Sequence, residues 1–430
     1  MERSLTLSHG IALALGSIAG SGLLFLPSLT LVVGGTDVME VWLGATLICL
    51  PMLFLLADVV REFDDGSGIE GLIARGLGAQ VSAGVPLLFL LIVMLGIPAG
   101  GLIAGAYLSG ALGAGPVVEH ATALVIVGIA AGVNLAGIQV GARVQLVTAA
   151  CLLVIGAALV ALTVPEAAGG YEAVVPGTPD LGRVLSGVLI AFFAYAGFEN
   201  LTFIAGEFRN PRRDFPLAMA AAFVAYGALA VALTANLAAI VPTGQIDPVA
   251  GLAQLADAIQ PAALATGVVT ALALALMQVN ANSWVWGMSR LVRSAAGTGR
   301  LPGSLATLDP RGVPRRAVML LTGGFLVTLT VAAFSRDVVT DLLVAASASF
   351  VVLYVLAVAA YLRRARTPGR RLLAVVLMVV LGALLVNDAG HALPGLAVIA
   401  GGALLEAWRV RARRATRGSA RSAQSPHPCR

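Results

Sequence analysis

The chain of 430 residues is 59% hydrophobic and only 11% charged, with a mean hydropathy of +0.94. A soluble globular domain carries about 25% charged residues, so this composition excludes one and places the chain in lipid. The net charge of +5 at pH 7 is accounted for by membrane topology and does not call for a nucleic-acid partner.

A membrane span needs about 20 predominantly apolar residues. About twelve such segments are present, near residues 8–33, 38–61, 81–110, 118–137, 143–164, 183–206, 214–241, 262–292, 315–334, 338–361, 372–386 and 393–408. The first is too long for a signal peptide and lacks a clear small-residue cleavage site, so it is expected to be retained. The eleventh is short. A re-entrant pair made from it and the twelfth would leave the C-terminus on the same side. All 27 basic residues are arginine. With the N-terminus inside, 25 of them fall on the inner side and only Arg183 and Arg336 outside. By the positive-inside rule this supports both the span count and cytoplasmic N- and C-termini.

The first span carries "GSIAGSG", Gly16 to Gly22, with three glycines and two serines in seven residues. Glycine is a poor helix former, so this is the weakest helical stretch of the span. After the second span, Arg61 to Gln80 reads as an inner interfacial helix. The longest outer loop runs from about Pro165 to Gly182. The sixth span then carries "FFAYAGFEN", Phe192 to Asn200, again interrupted by small residues and holding Glu199. Asp247 to Pro261 is too short and polar to cross and reads as a helix at the outer surface. In the eighth span, Asn280, Asn282, Trp284 and Trp286 could line a pocket. They could equally make interhelical hydrogen bonds and pack against lipid. The arginine-rich tail is expected to be disordered and to rest on anionic lipid.

Spans one and six are related if spans one to five form a repeat. Five is odd, so the second repeat enters from the opposite face. Paired interrupted helices in inverted halves are the best sequence pointer to a transporter's binding site. An interrupted helix frees backbone N–H and C=O groups, which must be buried in protein or line a polar cavity. Freed N–H groups at a half-helix N-terminus bind carboxylates, and freed carbonyls bind ammonium groups or cations. Glycine lets a ligand approach the backbone closely. Small residues also serve plain helix packing, and "GSIAGSG" alone is open to either reading. The matched interruption in span six favours a binding site. Glu199 costs at least about 2.5–3.5 kcal/mol to place at that depth. It is either protonated for structure or functional, and a role in proton coupling or gating is favoured. Glu207 is expected to pair with Arg209 or a nearby basic loop, and Asp58 and Asp341 to be interfacial.

Cys49 and Cys151 lie in spans and Cys429 in the tail, with no disulfide or metal spacing. His9, His120, His391 and His427 are scattered. Without a nucleophile–base pair or metal cluster, no enzyme is expected. A non-transporting amino-acid sensor would need a signalling domain, for which the stretch after Trp408 offers little room.

The ordered runs "LGSIAGSGLLFLPSL", "FFAYAGFENLTFIAGEFRNPRRDFPLAM" and "NANSWVWGMSRLVRSAAGTGRLP" with "PRGVPRRA" resemble the first, sixth and eighth spans of the amino acid–polyamine–organocation (APC) transporters. "EFRNPRRDFP", "IPAGGLIAGAYL" and the glutamate of "GFEN" look most like the bacterial exporters of methionine and branched-chain amino acids. The resemblance implies an all-α integral membrane protein of the LeuT-like or APC fold. Such a fold is a five-plus-five inverted repeat with broken helices 1 and 6, plus two extra helices. The implied organisation is a first repeat over 1–164, a second over 165–363, two additional helices over 364–411 and the tail over 412–430. It implies alternating access and proton coupling in the inner membrane of a prokaryote. The backbone of Gly20, Ser21 and Gly22 would hold the substrate carboxylate. Carbonyls of Phe193 and Ala196, with those near Ile18, would hold the amino group. Gly197, Asn282 and Trp286 complete the expected lining, with Phe193 as an aromatic gate. Some members carry a lysine in span five that stands in for sodium. Span five here has none, which leaves Glu199 as the proton candidate and sodium less favoured. No cofactor is expected. The pocket candidates are neutral, so a small neutral amino acid is the expected substrate, with lipid the other partner. The sequence does not give the oligomeric state.

Overall fold

A computed structural model describes residues 6–18, 22–62, 68–138, 142–174, 178–196, 208–334 and 338–422. These residues are helical throughout, joined by short turns, with no β-strand among them. The chain runs α1 (Leu7–Ile18), α2 (Gly22–Gly34), α3 (Val38–Glu62), α4 (Gly68–Leu77), α5 (Ala79–Ser82), α6 (Val85–Leu112), α7 (Pro116–Leu135) and α8 (Ala142–Ala167). It continues through α9 (Leu181–Phe192), α10 (Pro211–Ile240), α11 (Gly251–Asp257), α12 (Ala262–Gly297), α13 (Arg315–Ala332), α14 (Val338–Arg364), α15 (Pro368–Asn387) and α16 (Ala389–Ser422). Each apolar segment read from the sequence coincides with one of these helices or, for spans one and six, with an interrupted helix. Ten helical segments among the described residues are long and apolar enough to cross a membrane. The eleventh span is longer than its apolar run. As α15 it has 20 residues, about 30 Å at 1.5 Å per residue, enough for a full crossing.

Local chemistry sets the helix ends. Proline occupies the first turn of α6, α7, α10 and α15, where its missing N–H would be unpaired anyway. Gly113 ends α6 in the left-handed conformation, φ 59°, which glycine adopts without strain.

Ion pairs and hydrogen bonds sort the helix ends into two faces. At one face Arg300 meets Glu70 of α4 at 2.6 Å and Arg370 meets Asp58 of α3 at 3.0 Å. There Tyr361 also donates to Asp58 at 2.7 Å, and Arg409 donates to the Arg300 carbonyl at 3.1 Å. At the other, Arg183 lies 3.7 Å from Asp37, Ser186 donates to Asp388 at 2.9 Å and His391 lies 3.8 Å from Asp341. Asp58 and Asp341 are thus both at helix ends, as expected of interfacial residues. The helix α4 lies against α14 with Ile69, Leu72 and Ile73 buried.

Burial grades from centre to edge. Of the most apolar stretch of α14, 72% is buried inside the protein, against 22% for α15 and 11% for α16. A helix that is apolar all round and buried is a core element. The helices α6 and α14 are of that kind, and α15 and α16 are peripheral and lipid-facing.

Candidate functional site

The first span is described on either side of the expected break. Helix α1 ends at Ile18 and α2 begins at Gly22. Gly20 and Ser21 lie outside the described residues, as does the side chain of Ile18. A helix start leaves its first N–H groups without an acceptor inside that helix. From Gly22 to Leu31 every residue of α2 is buried. Pro27 inside the helix removes one backbone donor. Neighbouring hydroxyls bond to carbonyls along this stretch. Tyr107 donates to Leu24 O at 2.7 Å, Ser28 to Phe25 O at 3.0 Å, and Thr30 to Leu26 O at 2.6 Å.

The second break falls inside "FFAYAGFEN". Helix α9 starts from an Asp180 cap whose carboxylate accepts the Arg183 N–H at 3.0 Å. That bond holds the Asp180 carboxyl below the usual carboxylate range. The helix tightens into a 3-10 turn over Phe193–Tyr195, and Ala196 is extended at φ −71°, ψ 145°. Gly197, Glu199 and Glu207 lie outside the described residues. The chain returns at Phe208, whose ring packs against Gly10 of α1 and meets Phe215 edge-on at 5.9 Å.

The start of α2 faces the second break. A Cβ placed on Gly22 would lie 3.6 Å from Ala194 Cα, 3.0 Å from Leu26 Cδ1 and 2.7 Å from the hydroxyl oxygen of Tyr226. Phe193, half-buried, sits between Phe25 of α2 (ring centroids 6.1 Å apart) and Phe350 of α14 (5.9 Å). Tyr195 stacks on Phe223 at 4.3 Å and meets Trp42 and Tyr226 edge-on at 6.4 and 6.1 Å. The buried Ser347 hydroxyl donates to the Leu189 carbonyl and ties α14 to α9. The surroundings these contacts supply are aromatic, aliphatic or hydroxylic. A cavity of about 410 Å³, lined in part by Tyr107, Asp247, Gln254, Asp257 and Thr266, lies at the end of α6 beside α11. Helix α11 forms within the segment expected to lie at the outer surface.

The structure therefore sets Gly22 against Ala194 and Phe193 against Phe25 of α2, with Ala196 two residues beyond Ala194. Asn282 and Trp286 have other partners. Asn282 accepts from Gln278 at 3.3 Å, and its carbonyl accepts from Asn134 of α7 at 3.3 Å. Trp286 is covered by the Arg290 guanidinium, 3.3 Å from its ring centroid. Sequence reasoning missed Phe25, Phe350 and Tyr226. The available signal for Tyr226 was a single hydroxyl-bearing residue followed by glycine in the apolar run "FVAYGALAVAL".

Ten long apolar helices among the described residues, with the start of α2 set against an interrupted α9, fit a multi-pass membrane transporter. Comparison with known proteins gives the family. A family model described as amino acid permease matches residues 5–389, and the chain belongs to that family. It is 26% identical over 370 residues to the uncharacterized amino acid permease YecA of Bacillus subtilis, covering 84% of this chain and 85% of that one. It is 25% identical over 225 residues to the L-methionine/branched-chain amino acid exporter YjeH of Escherichia coli, covering 51% and 52% of the two chains. The crystal structure of a mutant Eremococcus coleocola manganese transporter matches with a TM-score of 0.57 at 13% identity, over 93% of this chain and 92% of that one. That likeness shows the fold. The chain is an all-helical membrane protein of the LeuT-like fold.

Proposed function

We propose that the protein exports small neutral amino acids, methionine and branched-chain amino acids first among them, by proton-coupled alternating access. The observation that carries this reading is the approach of the α2 start to the second break, with Ala194 Cα 3.6 Å from the side-chain position of Gly22. N–H groups at a helix start suit a carboxylate. The Phe193 carbonyl accepts from Ala196 N–H at 3.2 Å and keeps a second lone pair for an ammonium. One small site thus offers donors to one end of a zwitterion and acceptors to the other. The neutral lining, Phe25, Phe193 and Phe350, suits an aliphatic or thioether side chain. The exporter YjeH, similar over half of this chain, supports the same substrate class and the outward direction. The arginine distribution supports a cytoplasmic membrane with both termini inside.

Glu199 is the proposed proton carrier. Its cost at mid-membrane depth is repaid if it takes up and releases a proton each cycle. Glu199→Gln removes the titrating group at constant shape and is expected to abolish the dependence of transport on the pH gradient. Unchanged dependence assigns the proton elsewhere.

The test uses purified protein in liposomes preloaded with labelled methionine or leucine, with and without an imposed proton gradient. Gradient-dependent efflux is the expected result. Release only against external unlabelled amino acid indicates an exchanger. Binding without any movement indicates a sensor and contradicts the transport reading.

A further inference from the structure

Tyr195 and Tyr226 are buried tyrosines whose hydroxyls have no hydrogen-bond partner among the described residues, and it is Tyr226 that lies against the start of α2. Its side chain is fully buried in α10, and its hydroxyl has no hydrogen-bond partner among the described residues. Leaving a buried hydroxyl unpaired is costly. The group is therefore expected to acquire a partner during the working cycle. Its position says which kind. The hydroxyl oxygen lies 2.7 Å from where a Cβ on Gly22 would stand, and Ala194 Cα lies 3.6 Å from the same point. Gly22 is the first residue of the 13-residue helix α2, and a helix start leaves N–H donors without an acceptor inside the helix. The phenol therefore stands at the start of α2, beside the second break. The ring is held in place from behind. Tyr195 meets it edge-on at 6.1 Å and is itself stacked on Phe223 and set against Trp42. A side chain packed this way keeps its hydroxyl aimed at the break.

We propose that the Tyr226 hydroxyl donates a hydrogen bond to the substrate's carboxylate, alongside the N–H groups at the start of α2. This rests on the reading of that helix start as the carboxylate site. A phenol donating to a carboxylate is a charge-assisted bond, stronger than one between neutral groups. Donors from two sources at one point select an anionic oxygen pair and disfavour an ammonium, which brings only donors of its own. The need for glycine at position 22 follows. Any side chain there would occupy the place of the bond. Tyr226 thus sets selectivity for the free acid over its uncharged derivatives.

The experiment is equilibrium binding of labelled leucine to purified full-length protein, with leucinamide as competitor, in the wild type and in Tyr226→Phe. The wild type is expected to prefer leucine. The variant keeps the ring and loses the donor, so leucine affinity should fall by about tenfold or more while leucinamide affinity stays unchanged. Intact leucinamide binding also reports an intact fold. Equal losses for both ligands, or no loss for either, overturn the proposal. Gly22→Ala gives an independent readout, because its methyl group would displace the hydroxyl. The same selective loss is expected there, and an unchanged preference for leucine overturns the proposal. A wild type that binds leucine and leucinamide equally overturns the carboxylate reading beneath it as well.

Discussion

Two regions of the molecule are rich in glycine and behave in opposite ways. In α6 the run "GIPAGGLIAGAYLSG", Gly96 to Gly110, carries five glycines and an internal proline, yet the helix is continuous from Val85 to Leu112. In the first span three glycines fall between residues 16 and 22, and the last of them, Gly22, is the first residue of α2. The difference lies in what stands across from the glycine. Gly101 and Gly105 of α6 share one face and let α7 approach to backbone contact, at Ala123 and Glu119. Close approach of this kind is how membrane helices gain packing energy. Gly22 faces a buried phenol and the end of a second interrupted helix. Glycine content alone therefore assigns no role in a membrane protein. The neighbour does.

The comparison can be broken at either region. The largest effect is expected from Gly105→Leu, whose side chain would overlap the Glu119 backbone of α7. No monodisperse protein should be recovered, since backbone overlap in a packed core belongs to the rare substitutions costing more than about 4 kcal/mol. Recovery at wild-type stability would refute packing as the role of that glycine. Gly101→Ala places a methyl 3.0 Å from the Ala123 Cβ. Overpacking of that size costs about 1–3 kcal/mol, read as a lowered melting temperature in detergent. Gly128→Ala, on the outward face of α7 with nothing within 4 Å, should leave stability unchanged or raise it by up to about 1 kcal/mol. A smaller effect is expected where the second interrupted helix begins. The Asp180 carboxyl is held below its usual range by the Arg183 N–H. A depressed value means its contribution is present above the unfolded value and lost as the pH falls through the folded one. Asp180→Ala should melt slightly below the wild type at pH 7, and the gap should close below about pH 4. A gap that persists at low pH would place the effect outside the carboxylate.

Much of this was legible in the sequence because lipid imposes strict demands. Each crossing needs about 20 apolar residues, so the segments declare themselves. The α15 helix was harder because its first turn carries Pro368, Arg370 and Arg371, which shorten the apolar run without shortening the helix. The second interruption was visible from small residues, and the 3-10 turn and extended Ala196 fall within the quoted stretch; residues 19–21 of the first lie outside the described residues. Tyr226 was not visible, because nothing local links it to a glycine 204 positions earlier in the numbering. Only the packing of α10 against α2 does. The partners of Asn282 were equally hidden. An asparagine in a span can face a pocket or another helix, and its choice of Gln278 with Asn134 alongside is tertiary information.

The central claim is that the start of α2 is a ligand and not a packing surface. Its most direct test is saturation binding of labelled leucine and methionine to Gly22→Leu beside the wild type, with the melting temperature of both samples recorded. The variant is expected to insert and fold with a lowered melting temperature, because its side chain crowds Tyr226 and Leu26, and to bind neither amino acid. Wild-type affinity in a folded Gly22→Leu protein would contradict it and return Gly22 to the same structural role as the glycines of α6.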